Sequence, residues 1–357
     1  MARRALVASL IALSLSALPF LALADEEDQK NPIAALEGYS VRVWAEPDPR
    51  FTNPDSIEID AKRDRVWVGY QNVTAKDGTD GKSSTVVEYS SDGKVIHTYS
   101  VLGHCDGLRV DPATHKVWAT SNEDGNPRLV SIDPATHVVT AFTFPSPTAH
   151  GGGFDDMAFL GGKMFIAASN PTLDSSGVNV FPAVDAVTFS GHNVVLTPVL
   201  LGNATATDTL SGSQVTLNEI DPDSMTVDAA GNLVLVNQAG SELVFIHNPG
   251  TSTQTVARTL VGTQLEDTIF IGSARQGKTG TFLLVDGGTN TIYSIRTKLQ
   301  SVYTEAPNDS GVVGLFGTLD LSSSTATSID TGIVTPVVIG FNKATGLALF
   351  PQDSGDE

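Results

Sequence analysis

Short apolar stretches alternate with polar turns along most of this chain, and one arrangement of them recurs. An acidic residue opens an apolar strand, a polar turn follows, and a second apolar strand comes after it. The first copies read Asp55-Ser56-Ile57-Glu58-Ile59-Asp60 before Val66-Trp67-Val68, and Asp106-Gly107-Leu108-Arg109-Val110-Asp111 before Val117-Trp118-Ala119. The next are Asp156-Met157-Ala158-Phe159 before Met164-Phe165-Ile166, Asp223-Ser224-Met225-Thr226-Val227-Asp228 before Leu233-Val234-Leu235, and Asp267-Thr268-Ile269-Phe270-Ile271 before Phe282-Leu283-Leu284. A degenerate sixth copy, Val337-Val338-Ile339-Gly340-Phe341 before Leu347-Ala348-Leu349-Phe350, has valine where the others have the acid. The leading acids at 55, 106, 156, 223 and 267 lie 51, 50, 67 and 44 residues apart, the length of a four-stranded unit with its loops. The pattern predicts an all-β fold, a six-bladed β-propeller whose first strands line one axis. Seven blades is the alternative, because residues 300–335 carry more strand-like material (312–321 and 325–329) than one connection needs.

The second repeat shows the plan most plainly. Strands over 108–110 and 116–120 are joined by Asp111-Pro112-Ala113-Thr114-His115, and strands over 129–132 and 138–144 by the near-identical Asp133-Pro134-Ala135-Thr136-His137. In both turns the aspartate caps and the proline presets the first backbone angle. Trp67 and Trp118 occupy the same slot of the second strand, which suits packing between blades. Tyr39-Ser40-Val41-Arg42-Val43-Trp44 alternates like a strand ahead of the first acid motif. It is expected to close the ring as an outer strand beside residues 347–350, leaving no open edge.

The start of the chain does not belong to this fold. Arg3 and Arg4 precede an uncharged apolar run, and Ala22-Leu23-Ala24 gives small residues in A-x-A spacing, so residues 1–24 are read as a secretory signal peptide. The expected organisation is an acidic disordered segment over 25–37, one propeller domain over 38–352 and a disordered tail over 353–357, in an exported protein of the periplasm or extracellular space. No later apolar stretch is long enough to span a bilayer. Cys105 is the only cysteine, which excludes an intramolecular disulfide. The formal charge of −19 becomes two units more negative once Arg3 and Arg4 leave with the leader, a surface that repels nucleic acid and anionic membrane.

That charge has a focus. In an antiparallel blade the first strand starts on the face where the second ends. This sets Asp55, Asp106, Asp156, Asp223 and Asp267 on one channel mouth with Asn72, Asn122, Asn170, Asn237 and Asp286. Five carboxylates around a narrow axis need a counter-charge, so either a cation binds or some hold protons. The five acids are the candidate metal ligands, and an all-oxygen set favours calcium over magnesium and both over zinc or copper. Asn122, Asn170, Asn237 and Asp286 are candidate ligand-binding residues. His104 and His150 precede first strands, His150 followed by Gly151-Gly152-Gly153-Phe154-Asp155, and with Asp156 they are the candidate proton-transfer groups. Asp60, Asp111 and Asp228 read as turn formers. No zinc-ligand histidine spacing, nucleophile elbow or phosphate loop is present.

Pro222-Asp223-Ser224-Met225-Thr226-Val227-Asp228-Ala229-Ala230-Gly231-Asn232-Leu233 resembles the repeat of the senescence marker protein/gluconolactonase family and of NHL-repeat propellers, and Cys105-Asp106-Gly107-Leu108-Arg109-Val110-Asp111 is a second match. The resemblance covers most of residues 39–351 and implies a propeller with a divalent cation at the channel mouth. It would make Asp223 the family's ligand aspartate and put Asp106 where an asparagine is expected. Asn53-Pro54-Asp55-Ser56 stands in place of the family's glutamate motif. Two function classes follow: a metal-dependent hydrolase or lyase of small lactones or sugar-derived substrates, or a non-catalytic propeller that holds a small molecule or protein partner on the same face.

Overall fold

The computed structural model describes residues 22–23, 33–307, 314–322 and 332–351. Nearly all of the proposed leader, residues 25–32 of the acidic segment, the predicted strand at 325–329 and the 353–357 tail lie outside these. Among the described residues every regular element is a β-strand. The strands form five sheets arranged as a β-propeller.

The first sheet is a plain meander, Pro54–Asp60, Arg65–Tyr70, Ser83–Ser90 and Val95–Leu102. An eight-stranded sheet follows. It consists of two antiparallel runs, one from Cys105–Val110 out to Val138–Thr143 and one from Met157–Leu160 out to Asn193–Leu201, joined by a single parallel pairing of Thr143 with Asn193. The next sheet runs from Pro222–Val227 out to Thr255–Leu260 and continues into a short hairpin, Thr205–Asp208 and Gln214–Thr216. Where this chain makes turns it uses the predicted chemistry. The Oδ1 atoms of Asp111 and Asp133 accept from the amides of Ala113 and Ala135, both at 2.9 Å, and His115 and His137 take the left-handed conformation (φ 57° and 58°).

The last two sheets depart from the expected order. Thr268–Phe270 was expected to turn into the strand around Phe282. Instead it pairs with Val302–Ala306, the neighbour of Gly314–Asp320 and then of Ile333–Phe341. Thr279–Asp286 belongs to the other sheet, between Ala344–Leu349 on its inner side and Thr291–Lys298 on its outer side. The chain therefore enters one sheet, leaves to build the middle of the next, and returns. The supposed sixth copy also divides: Ile333–Phe341 is an outer strand of one sheet and Ala344–Leu349 the innermost strand of the other. The N-terminal strand Ser40–Ala45 does lie in the same sheet as Ala344–Leu349. Its partner, however, is Thr291–Lys298, with Val41 opposite Ile295, and not residues 347–350. Ahead of it, Ala34–Ala35 pairs with Val338 and Ile339, so the ordered chain begins before Glu37.

Apolar faces meet between neighbouring sheets. Trp67 is fully buried with Val86, Tyr99, Leu108 and Val130, and Leu283, Val285 and Ile292 of the last sheet pack on Ile57, Val66 and Val87 of the first. Around the axis the innermost strands touch in turn, from Pro54–Asp60 to Cys105–Val110, Met157–Leu160, Pro222–Val227, Thr268–Phe270 and Ala344–Leu349, which returns to Pro54–Asp60. Each of these strands starts at the same end of the axis, and there the acids converge.

Candidate functional site

A cavity of about 330 Å³ opens at that end, and among the described residues ten carboxyl side chains line it: Asp55, Asp106, Glu123, Asp124, Asp155, Asp156, Asp221, Asp223, Glu266 and Asp267. Lys76 and Lys343 are the cations in the lining. Lys343 directly precedes the inner strand Ala344–Leu349, just as Asp267 precedes Thr268–Phe270. A lysine thus stands where the sixth repeat was read as placing valine.

All five acids expected to ring the mouth line the cavity, as do His104 and Asn170; His150, Asn122, Asn237 and Asp286 do not. Asp286 ends the second strand of the last sheet, and its carboxylate accepts from the amides of Asn342 (3.0 Å), Lys343 (2.9 Å) and Gly288 (3.1 Å), holding a turn. His150 is buried, with Nε2 2.7 Å from the Gly153 carbonyl and its ring edge-on to Phe154. Three of the asparagines share a backbone role. Asn72, Asn122 and Asn170 adopt left-handed conformations (φ 56°, 69° and 47°), which asparagine tolerates better than most residues. Asn122 Oδ1 also accepts from the His104 amide at 2.8 Å, and Asn237 donates to Glu242 at 2.8 Å. Gly103 allows the first of these contacts: it has φ 101°, and a Cβ there would lie 2.3 Å from Asn122 Oδ1.

The acids divide into two sets. On the channel floor Asp156 and Asp267 share a counter-charge that the chain supplies itself. The Arg109 guanidinium, from the inner strand Cys105–Val110, bonds Asp156 Oδ2 closely and lies 3.2 Å from Asp267 Oδ1 and 3.1 Å from the Met225 carbonyl. Asp156 Oδ2 also accepts the Met225 amide (2.9 Å) and Asp267 Oδ2 the Leu347 amide (3.0 Å), so both acids tie neighbouring inner strands together. Gly107 gives Asp156 the space, since a Cβ there would come within 2.6 Å of its Oδ1. Burial opposes a charge on Arg109, but Asp156 and Asp267 outweigh it and raise the guanidinium pKa. Burial also lifts Asp156 to about 7, partly offset by Arg109.

Toward the solvent His104, Asp106 and Glu123 form a cluster in which one ligand atom from each lies within 4.8 Å of the others. His104 Nδ1 lies 3.0 Å from the Thr74 carbonyl, which can only accept, so this nitrogen carries the proton. The nearby Thr74 hydroxyl spends its own proton on the Gln71 carbonyl at 2.6 Å. Burial lowers the His104 pKa and keeps the ring neutral. Nε2 therefore presents a lone pair, buried and without a hydrogen-bond partner among the described residues, 3.5 Å from Asp106 Oδ1. Asp106 Oδ1 accepts from Gln71 Nε2 at 3.2 Å, while its buried Oδ2 has no partner among the described residues. Burial, with Glu123 and Asp55 nearby, drives the Asp106 carboxyl well above the ordinary range. Burial pushes on Glu123 as well, but the close Lys76 ammonium prevails and holds it low. Asp155, raised by burial and by Asp223, hydrogen-bonds Glu123.

Two acceptors that face each other in a buried site require a proton or a cation between them. An imidazole nitrogen with two carboxylates suits a divalent ion, and the nitrogen tilts the preference from calcium toward manganese or zinc. Around this cluster Asp223 and Glu266 are raised well above their ordinary values by burial, and Asp55 is raised to about 7 by burial that Lys343 partly offsets. The Asp55 side chain makes no hydrogen bond among the described residues.

Lys76, Glu123 and Arg109 were missed in the sequence. The first two stand in loops just after second strands, in Asn72-Val73-Thr74-Ala75-Lys76 and Asn122-Glu123-Asp124. The Asp124 amide donates to the Lys76 carbonyl at 3.2 Å, which binds the two loops together. Their recurrent position behind an asparagine was the available signal.

No family model and no curated protein sequence matches the chain. Solved structures are similar at low identity. A periplasmic gluconolactonase from Pseudomonas aeruginosa is 10% identical, with a TM-score of 0.48 over 88% of this chain and 99% of that one. The virginiamycin B lyase of Staphylococcus aureus is 12% identical, with a TM-score of 0.42 over 73% of this chain and 100% of that one. A protein of unknown function from Bacteroides caccae is 9% identical, with a TM-score of 0.47 over 84% of this chain and 87% of that one. At these values the likeness concerns the general shape of the chain and carries nothing about chemistry.

Proposed function

We propose that this protein is an exported six-bladed propeller that hydrolyses small lactones or related sugar-derived esters at its acidic mouth, with a divalent cation held by His104, Asp106 and Glu123. The count of six takes the eight-stranded sheet as two blades, in keeping with its single parallel pairing and with the closed circuit of inner strands. One observation carries the functional reading: the proton-free Nε2 of His104 faces a buried Asp106 carboxyl across 3.5 Å. A cation bound there would polarise a substrate carbonyl. The chain's own groups do the rest. Asp55, raised to about 7 and lining the same cavity, has the basicity to take a proton from an attacking water near neutral pH. Lys76 and Lys343 stand at the mouth to receive the carboxylate that ring opening releases, and Asn122 fixes the loop that carries His104.

Metal analysis of the purified mature protein tests the first step and lactone hydrolysis with and without chelator the second. Calcium, manganese and zinc should each be tried. Bound metal should raise the melting temperature, and Asp106→Asn or His104→Ala should remove that rise. Because the ion replaces the proton between His104 and Asp106, its affinity should increase with pH and its binding should release a proton, measurable by titration calorimetry in buffers of different ionisation enthalpy. Activity should fall by roughly a hundredfold in Asp55→Asn, the scale of lost general-base catalysis. No metal-dependent stabilisation with any of the three ions would remove the cation. Metal binding without turnover of any lactone would leave a ligand-holding propeller.

A further inference from the structure

At the other end of the axis the molecule changes sign. A second cavity, about 830 Å³, lies in the wedge between the first and last sheets, and it is lined by Arg275, Lys278 and Arg296 with Asp64 as the only acid among the described residues. It opens on the face away from the mouth, because Asp64 and Ser91 belong to turns of the first sheet at the far ends of its inner strand Pro54–Asp60 and of Ser83–Ser90. Asp64 is already engaged, accepting the Ser91 hydroxyl at 2.8 Å. Arg275 donates through Nη2 to the Phe350 carbonyl at 2.8 Å, while its Nε is buried with no partner among the described residues. Strand pairing sets Thr281 opposite Arg296 and Ser294 opposite Arg42, so hydroxyls and guanidiniums share this face of the last sheet. The half-buried Trp44 indole forms another part of the lining, anchored by its Nε1 to the Ser91 carbonyl at 3.0 Å.

In a chain of formal charge −19, Arg275 and Arg296 together in one cavity, beside a single acid of the described lining that is already engaged, make an anion site, and the size of the space argues for more than a simple ion. Hydroxyls and an indole face beside the cations are the lining a sugar needs. We propose that this wedge is a second ligand site, independent of the acidic mouth, that binds an anionic saccharide, with its carboxylate, sulfate or phosphate group between Arg275 and Arg296 and its ring against Trp44.

The test uses the mature full-length protein in titration calorimetry at low salt, with oligogalacturonate, a sulfated oligosaccharide, a neutral oligosaccharide of the same length and inorganic phosphate as probes. The expected result is salt-sensitive binding of at least one charged oligosaccharide and none of the neutral one. The two charged probes show which anionic group is preferred. Arg296→Gln, an exposed strand residue whose replacement leaves the fold intact, should weaken binding at least tenfold, and Arg275→Gln should do the same. Trp44→Ala should weaken the oligosaccharide and leave phosphate unchanged, whereas Asp106→Asn at the mouth should leave both unchanged. Phosphate binding as tightly as the oligosaccharides would overturn the saccharide. Absence of binding to every charged probe, or binding indifferent to Arg296→Gln and Arg275→Gln, would overturn the site.

Discussion

Arg109 reaches from one inner strand to carboxylates that open two others, and its hydrogen bonds to Asp156, Asp267 and the Met225 carbonyl connect three positions around the axis. A buried guanidinium with two carboxylate partners is costly to form and more costly to break from one side, because the partners are left buried without compensation. Arg109→Met should therefore destabilise the fold by about 3–5 kcal/mol. The loss should have a pH signature. Arg109 is what restrains the Asp156 pKa at about 7, so its removal lets that pKa rise further, and a carboxyl raised in the folded state costs more stability as pH increases. Denaturant unfolding of the wild type and Arg109→Met at pH 5 and pH 8 measures this. The gap between the two proteins should be wider at pH 8, and an equal gap would show that Arg109 acts through packing alone.

Among the elements, the interleaving of the last two sheets has consequences of its own. The sheet that closes the ring takes its innermost strand from Ala344–Leu349, its outermost from Ser40–Ala45 and its middle from Thr279–Asp286 and Thr291–Lys298. Both ends of the domain must arrive before it exists, and contacts so distant in sequence form late and slowly. Deleting residues 39–45 should expose the edge of Thr291–Lys298 and remove Trp44 from its packing on Tyr89, which should lower the melting temperature and drive self-association visible by size-exclusion chromatography. A monomer of unchanged stability would show that the strand is dispensable. The alternation of apolar and polar residues disclosed strands, turns and the common end of the inner strands, because these depend on local periodicity. It could not disclose which sheet each late strand joins, since Phe282-Leu283-Leu284 and Val302-Tyr303 are equally apolar and pairing is decided by distant partners. The mouth was legible in the same uneven way: Asp106 and His104 stand at strand starts, but Glu123 and Lys76 gain their meaning only when two loops from adjacent sheets meet.

At the scale of the molecule the charge is separated, with ten carboxyls lining one end of the axis and Arg275, Lys278 and Arg296 lining a wedge at the other. Burial sets the acidic end against full ionisation at neutral pH. Asp55 and Asp156 are raised to about 7, chiefly by burial, and Asp106, Asp155, Asp223 and Glu266 are raised well above their ordinary values for the same reason. Each of these carboxyls holds its proton more tightly folded than unfolded. The stability they contribute is present in full below the unfolded value near 4, and it is lost as pH rises through the folded values at 7 and above. Glu123, held low by Lys76, works in the opposite sense where pH falls below its ordinary range, and His104 and His150, lowered by burial, oppose the trend below the ordinary histidine value, but the six raised carboxyls outweigh these two imidazoles. The metal-free protein should therefore melt at least about 5 °C lower at pH 8 than at pH 5. A divalent ion at the His104, Asp106 and Glu123 cluster would supply the missing charge without protons, so saturating metal should flatten the profile by raising the pH 8 value most. Scanning calorimetry of chelated and metal-loaded protein across this range separates the outcomes. A metal-free profile that is level or rises toward pH 8 would mean that the mouth carries its charges unaided, and the need for a cation there would disappear.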